Sequence, residues 1–366
     1  MMQIRGLNDP NLRALLQLTS VPRLGPRKIR TLVRRFTSPQ NVLTASMREL
    51  VQSEGIDQTM ARHIKVHSSV KFADHQLERA AKVNAHIVTI WDDRYPLLLK
   101  KTYDPPVLLF TKGILQPEDH RGLAVVGTRQ PTCYGNLITE KFCRQLGQHR
   151  VTVVSGLARG IDTLAHRATL CGRGRTLAVL GSGVDYIYPH ENRELAEKII
   201  QSGALLSEFS LGTRPEPHYF PRRNRIVAGI CQATLVIEAG KKSGALITSD
   251  YALEQGRDVF AVPGPINSSQ SVGPNELIQQ GAKPILTLED ILDEFGYTAK
   301  AEKRLPDIQL DMLEEKIFSF IRQEPVHIDN LLTESKMPPA QVHSILLSLE
   351  LKSVIKQLPG KSFIRL

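Results

Sequence analysis

The chain has 366 residues, 41% of them hydrophobic and 23% charged, enough for one large core with smaller modules beside it, since a single core rarely outgrows roughly 250 to 300 residues. No apolar run approaches the roughly 20 residues a membrane helix needs, and Asp9 and Arg13 break the stretch that a secretory leader would keep apolar, so no membrane role is expected and the cytoplasm is the expected compartment. A formal net charge of +10 marks either an ordinary basic protein or one with a polyanionic partner, because Lys and Arg that neutralise phosphates release condensed counterions.

Residues 1–80 read as a small helical domain. Leu12, Leu15, Leu16 and Leu18 precede the turn Val21-Pro22-Arg23-Leu24-Gly25-Pro26-Arg27-Lys28, and Ile29, Leu32, Val33 and Phe36 resume helical spacing. The turn is like a helix-hairpin-helix, which serves either to pack two helices or to offer backbone N–H groups to a phosphate. From residue 81 to 297 the pattern changes to short apolar runs between helical stretches: 86–90, 107–110, 123–126, 151–154, 177–180, 204–206, 235–237 and 259–262. These runs are nearly continuous, as in strands buried on both faces, and predict a parallel, Rossmann-like sheet covered by helices. Residues 298–308 are polar and aperiodic and read as a linker. In residues 309–366, helical patterns at Leu313–Ile321, Ile328–Leu332 and Pro339–Leu351 lead into a two-stranded wing at 354–358 and 362–366, a winged-helix domain.

Chemistry concentrates where the predicted strands end. Val126 runs into Gly127-Thr128-Arg129, and Val154 into Ser155-Gly156-Leu157-Ala158-Arg159-Gly160-Ile161-Asp162 before a helix. Small residues at such turns let backbone N–H groups approach an anion, the helix start adds positive partial charge, and Arg129 supplies a charged fork. Leu180-Gly181-Ser182-Gly183 contains GxG, but Tyr186 stands where a dinucleotide fingerprint needs Gly or Ala, and there is no Walker A sequence. No cofactor is therefore expected. Phe220-Pro221-Arg222-Arg223-Asn224-Arg225 beside Tyr219 combines cations with rings, the pairing of single-strand binders; alternatively its arginines serve Glu208 and Glu238. Glu238-Ala239-Gly240-Lys241-Lys242-Ser243-Gly244 is a further anion-friendly turn, so one sheet edge suits a row of phosphates.

Cys133, Cys143, Cys171 and Cys231 form no CxxC pair, so neither a metal site nor a redox couple is expected and reduced, mostly buried thiols are. In the third helix of the C-terminal domain Gln341, His343, Ser344 and Ser348 precede the first cation, Lys352, which suits an interaction or regulatory module better than duplex readout.

Taken in order, the segments 127–129, 155–162, 220–225, 243–248 and 256–264 resemble the DNA-processing protein A family (DprA/Smf), and the resemblance runs over nearly the whole chain. Pro274 and Gln280 depart from the family's usual residues, with local effect only. The resemblance implies a homodimer formed through the Rossmann-like core, single-stranded DNA bound at the strand ends, and loading of the RecA recombinase on DNA entering during natural transformation. Carried over by motif, the DNA-binding residues are Gly127, Thr128, Arg129, Ser155, Gly156, Gly160, Arg222, Arg223, Asn224, Arg225, Lys242, Ser243 and Gly244.

Two other classes compete. A Rossmann-like nucleotide hydrolase would draw on Glu208, Glu238 and Asp185, but the turn at 238–244 lacks the PGGxGT pattern of such enzymes, and carboxylates at strand ends more often serve ion pairs. His166 has no nucleophile at a plausible spacing and reads as a packing histidine, so no catalytic residue is expected. A nucleotide-sensing regulator would need duplex specificity, which the cation-poor third helix does not offer.

Overall fold

The computed structural model describes residues 9–296 and 310–365, apart from positions 323 and 353, and forms two compact units that divide between Ile291 and Leu292. The linker read at 298–308 lies outside the described residues.

Helix Pro10–Thr19 starts where its sequence says it should: Pro10 occupies the first turn, and the Asp9 carboxylate accepts from the Asn11 N–H at 2.8 Å. Helix Pro26–Phe36 follows a turn in which Arg23 takes a left-handed φ of 62°. Its Ile29, Leu32 and Val33 are buried together with Leu12, Leu15, Leu16 and Leu18 in a cluster that also contains Val107, Phe110, Leu180 and Leu205 of the sheet region. The N-terminal helices thus complete one face of the sheet, and polar ties reinforce the joint. The Gln76 amide accepts from the Leu211 N–H at 2.8 Å, and Arg79 meets Asp185 at 2.6 Å.

Among the described residues a nine-stranded sheet comprises β1 (His86–Thr89), β2 (Leu108–Gly113), β3 (Gly122–Val126), β4 (Thr152–Ser155), β5 (Thr176–Val179), β6 (Ala204–Ser207), β7 (Ala233–Val236), β8 (Asp258–Ala261) and β9 (Lys283–Pro284), in the order β1-β2-β6-β5-β4-β3-β7-β8-β9. From β6 to β9 all pairs are parallel, as the continuous apolar runs predict. β1 and β2 depart from that expectation: they pair antiparallel with each other, and β2 runs antiparallel to β6. The segment joining β1 to β2 holds only the short helix Leu97–Lys100, with no covering crossover of the kind parallel neighbours need.

The chain steps from β3 to β6 in one direction and then returns to lay β7 on the other side of β3. Such a reversal leaves a crevice outside the carboxyl ends of the strands, and the conspicuous turns of the sequence all open there. Cys143 and Cys231 are buried and burial pushes their thiols up, whereas Cys133 and Cys171 are exposed, against the expectation of mostly buried thiols. No helix among the described residues is long and apolar enough to cross a membrane.

The second unit is a winged helix: helices Met312–Phe320, Ile328–Ser335 and Pro339–Leu351, then β11 (Ile355–Leu358) and β12 (Ser362–Arg365). A two-residue β10 (Val326–His327) adds a third strand to the wing. Ile317, Leu331, Val342, Leu346, Leu349 and Phe363 form its core. Glu314 accepts from Ser348 at 2.6 Å and from Lys352 at 2.5 Å, and these hydrogen bonds bring its carboxyl down to about 2. Lys352, the first cation after the cation-poor helix, is therefore engaged inside the unit.

Candidate nucleic-acid interface

A cleft of about 770 Å³ opens at the carboxyl ends of β3, β4 and β7. At the end of β3, the Thr128 N–H donates to the Glu238 carbonyl at 2.7 Å, tying this turn to the one after β7. Ile161 N–H donates to the Thr128 carbonyl at 3.1 Å. Gly160 makes that approach feasible: its φ is +75°, and a Cβ there would lie 2.3 Å from the Thr128 oxygen. Arg129 then projects into solvent, its guanidinium 5.9 Å from the centre of the Phe220 ring, with no carboxylate partner among the described residues.

The turn after β4 is held from behind. Ser155 is fully buried and its hydroxyl donates to the Val125 carbonyl at 2.7 Å, so it joins β4 to β3 and is spent on that contact. Gly156 abuts the Arg223 side chain, where a Cβ would lie 2.3 Å from a guanidinium nitrogen. Arg223 itself is 4% exposed; it donates to the carbonyls of Gly156 (2.5 Å) and Val179 and, through Nε, to Asn224 Oδ1 (3.0 Å). Asp162 accepts from the Gly156 and Ala158 N–H groups at 3.1 and 3.3 Å. Burial lowers Arg223 to about 10 and raises the Asp162 carboxyl, and each charge opposes the shift of the other. Arg223 and Asp162 form a charged floor for the cleft.

The other two arginines of that segment face away from the cleft. Arg222 Nε lies 3.0 Å from Glu208, Arg225 pairs with the same carboxylate, and Arg225 also donates to the Asp104 carbonyl at 2.6 Å. Helix Tyr219–Ile230 carries the whole run, which separates neighbouring side chains by about 100° around its axis. Asn224 latches that helix to the next turn by donating to the Gly244 carbonyl at 3.1 Å.

After β7, Glu238 accepts from the Thr132 N–H at 2.9 Å and the Thr132 hydroxyl at 2.5 Å, anchoring the residue whose hydroxyl caps helix Cys133–Gln148 by accepting from the Gly135 N–H at 3.2 Å. Ser243 caps helix Gly244–Glu254, its hydroxyl accepting from Ala245 N–H at 3.3 Å. Lys241 and Lys242, at the mouth of this turn, are exposed and make no ion pair among the described residues. Tyr188 faces them across the opening, 39% exposed and 5.8 Å from Phe220.

The cleft thus brings together Gly127, Thr128, Arg129, Gly156, Arg223, Asn224, Lys242, Ser243 and Gly244 from four separate segments, while Ser155, Gly160, Arg222 and Arg225 stand outside its lining. It also recruits Tyr188, Lys241, Thr248 and Gln270, which the motif reading left out of the site. Lys241 was signalled by its neighbour Lys242; Tyr188 enters from the loop after β5, which no local pattern connects to the cleft. Asp185, offered as a catalytic candidate, is fixed by Arg79 and by the Gly212 N–H at 3.0 Å. His166 is fully buried, its Nδ1 2.7 Å from the Thr176 hydroxyl, and burial lowers it to about 3, which keeps it neutral and in a packing role. Among the described residues no group of His, Cys, Asp and Glu side chains is arranged to hold a metal ion.

A switch-point cleft rimmed by small-residue turns, rings and cations that make no ion pair among the described residues, on a sheet parallel from β6 to β9, places the chain among Rossmann-like α/β proteins. The family model for DNA recombination-mediator protein A matches residues 86–296, and that for the DprA winged helix domain matches 301–361; the chain belongs to this family. It is 34% identical to protein Smf of Synechocystis over 96% of this chain and 98% of that one, and 46% identical to DNA processing protein DprA of Streptococcus pneumoniae over 57% and 74%. The solved structure of the Streptococcus pneumoniae protein superposes with a TM-score of 0.67 at 34% identity, covering 80% of this chain and 99% of that one. The DNA processing protein A of Helicobacter pylori, described for its single-stranded DNA binding mode, matches with a TM-score of 0.52 at 27% identity over 58% and 97%.

Proposed function

We propose that the cleft binds single-stranded DNA and that the protein, without catalysing a reaction, delivers this DNA to the RecA recombinase during natural transformation. The observation that carries the reading is the convergence of Arg129, Lys241 and Lys242, cations that make no ion pair among the described residues, on an opening faced by the rings of Tyr188 and Phe220. Phosphates attract the first set and unpaired bases stack on the second, which a duplex does not offer. Gly127, Thr128, Gly156, Ser243 and Gly244 bring backbone groups to the same opening, and Ser155, Gly160, Arg223 and Asn224 hold those turns in place. The family membership and the single-stranded DNA binding mode described for the Helicobacter pylori relative support this. Glu208, Glu238 and Asp185 each serve a structural partner, which supports the non-enzymatic reading.

The proposal extends to a cytoplasmic homodimer formed through the Rossmann-like core, to the division of the chain at about residues 80, 297 and 309, and to the winged helix as an interaction module. The deciding experiment is fluorescence anisotropy of labelled single-stranded and duplex oligonucleotides across a salt series, followed by RecA filament assembly on strands already coated with single-strand-binding protein. Preference for single strands, weakened by Arg129→Ala, and faster filament assembly are expected. Equal affinity for duplex, or normal binding by Arg129→Ala, defeats the cleft assignment; unchanged filament assembly defeats the RecA role alone.

A further inference from the structure

Helix Tyr219–Ile230 presents Phe220, Arg223 and Asn224 to the cleft but Arg222 and Arg225 to depressions on another face, and those depressions lead to the N-terminal helices. Helix Pro26–Phe36 buries Ile29, Leu32 and Val33 and so turns Arg27, Arg30 and Arg34 outward as a stripe at i, i+3 and i+7, about 10 Å long. Opposite the stripe stand Trp91 and Lys100, enclosing a trough of about 1020 Å³ in which Glu54 is the one carboxylate among the lining residues. Lys28, Arg34 and Lys100 make no ion pair among the described residues, and Arg30 Nε is enclosed without a hydrogen-bond partner. Arg27 leans over the Tyr103 ring at 5.2 Å, and that ring is 75% exposed.

The trough continues to helix Tyr219–Ile230, another face of which lines the cleft. An adjoining depression repeats Arg27 and Lys28 and adds Tyr103 and Arg225; a third repeats Arg23, Gly25 and Pro26 and adds Arg222. At their junction helix Pro26–Phe36 starts without a side-chain cap, which leaves first-turn N–H groups facing the path. Along the trough itself Lys28, Arg34 and Lys100 face a single carboxylate among the lining residues, whereas Arg222 and Arg225 beyond it are paired with Glu208; a polyanion would relieve the repulsion among the trough cations, and the exposed Tyr103 ring with the half-buried Trp91 suits unpaired bases.

We infer that the N-terminal helices carry a second contact for single-stranded DNA, the strand leaving the cleft across helix Tyr219–Ile230 and laying its phosphates along Arg27, Arg34 and Lys100, with bases against Trp91 and Tyr103. The direction of the strand rests on the cleft reading; the contact itself does not. Trp91 is the sole tryptophan of the chain, so its fluorescence reports on the trough alone.

The test titrates the full-length protein with a short oligonucleotide that fills only the cleft and with a strand several times longer, following Trp91 emission and anisotropy together. The longer strand is expected to quench Trp91, the short one to leave it unchanged. The triple variant Arg27→Ala, Arg34→Ala and Lys100→Ala is expected to lose the quench, to bind the longer strand about tenfold more weakly and to show a salt dependence shallower by about 2, with its affinity for the short oligonucleotide unchanged. A charge-preserving variant, Arg27→Lys, Arg34→Lys and Lys100→Arg, should behave nearly as the parent. Normal long-strand binding by the triple variant, no quench by the longer strand, a quench by duplex only, or equal loss in the charge-preserving variant overturns the inference. Normal binding by Arg129→Ala with the Trp91 quench intact instead removes the cleft reading and leaves the trough standing.

Discussion

Arg222, Arg223 and Arg225 fall within four consecutive residues, yet all three are committed inside the fold; Arg129, Lys241 and Lys242, thinly spread over two turns, make no ion pair among the described residues. The difference lies in what each cation finds within reach. A guanidinium beside a buried carboxylate or a row of carbonyls has its donors satisfied, and pulling it away would leave that partner buried and unpaired. A cation at a strand-end turn has only solvent before it, so a phosphate gains the full benefit of its charge. Basic density along a sequence is therefore a weaker guide to phosphate contact than the absence of internal partners.

The comparison makes its sharpest forecast at Arg223. Arg223→Ala strips the cleft floor of its cation, takes a buried donor from the Gly156 and Val179 carbonyls and removes the favourable charge near the buried Asp162, a loss of about 3 kcal/mol in folding stability. Chemical denaturation should show that loss before any binding assay is informative. A variant as stable as the parent would mean that Arg223 is not a structural floor, and the contrast between the two sets would fail.

Arg129→Ala should do the reverse. Removing a guanidinium that makes no ion pair or side-chain hydrogen bond among the described residues and lies 5.9 Å from the Phe220 ring centre should leave the melting temperature unchanged while weakening single-strand binding by about 2 kcal/mol, roughly thirtyfold. A drop in stability with unaltered binding would place Arg129 with the committed arginines.

The floor should also reveal itself through pH. His166, packed against Thr176 near Arg223, is held neutral down to about 3, whereas an unfolded chain protonates it near 6.5. The unfolded state therefore binds the extra proton between those values, and stability falls as pH drops through that window. At pH 5 the loss relative to pH 7 is about 2 kcal/mol. Urea denaturation at the two pH values should show it in the parent and much less of it in His166→Gln; equal slopes would separate His166 from the floor.

Much of this architecture was legible in the sequence. β3, β4, β5 and β7 are buried on both faces and announce themselves as continuous apolar runs, and the small-residue turns at the cleft leave no room for a Cβ: one at Gly127, Gly156 or Gly160 would collide with Ile161, Arg223 or the Thr128 carbonyl. Strand direction was not legible: β1 and β2 have the same apolar run whether they pair parallel or antiparallel, and the choice falls to the length of the connection. The two-residue strands β9 and β10 carry too few residues for any period. At the site, consecutive residues of Arg222-Arg223-Asn224-Arg225 point in different directions because they lie on a helix, so their shared chemistry in the sequence dissolves into three separate contacts. Ser155 looked like a phosphate ligand by motif, but as the last residue of β4 it faces β3 and donates to Val125. The trough of Arg27, Trp91 and Lys100 has no sequence signature at all, since its walls come from segments brought together only by docking of the helices on the sheet.

The smallest expected effect is the most discriminating about the segment itself. Arg222 is half-exposed and shares Glu208 with Arg225, whose guanidinium is largely enclosed and also holds the Asp104 carbonyl. In Arg222→Ala the buried carboxylate keeps its better partner, so stability should fall by no more than about 1 kcal/mol, and cleft affinity for a short oligonucleotide should stay unchanged. In Arg225→Ala the same carboxylate would depend on a solvent-screened partner alone, and the larger loss should appear there. If Arg222→Ala instead weakens short-strand binding as strongly as Arg129→Ala, the Glu208 pair yields to DNA when it arrives, and the division between committed and available cations is one that the ligand itself can redraw.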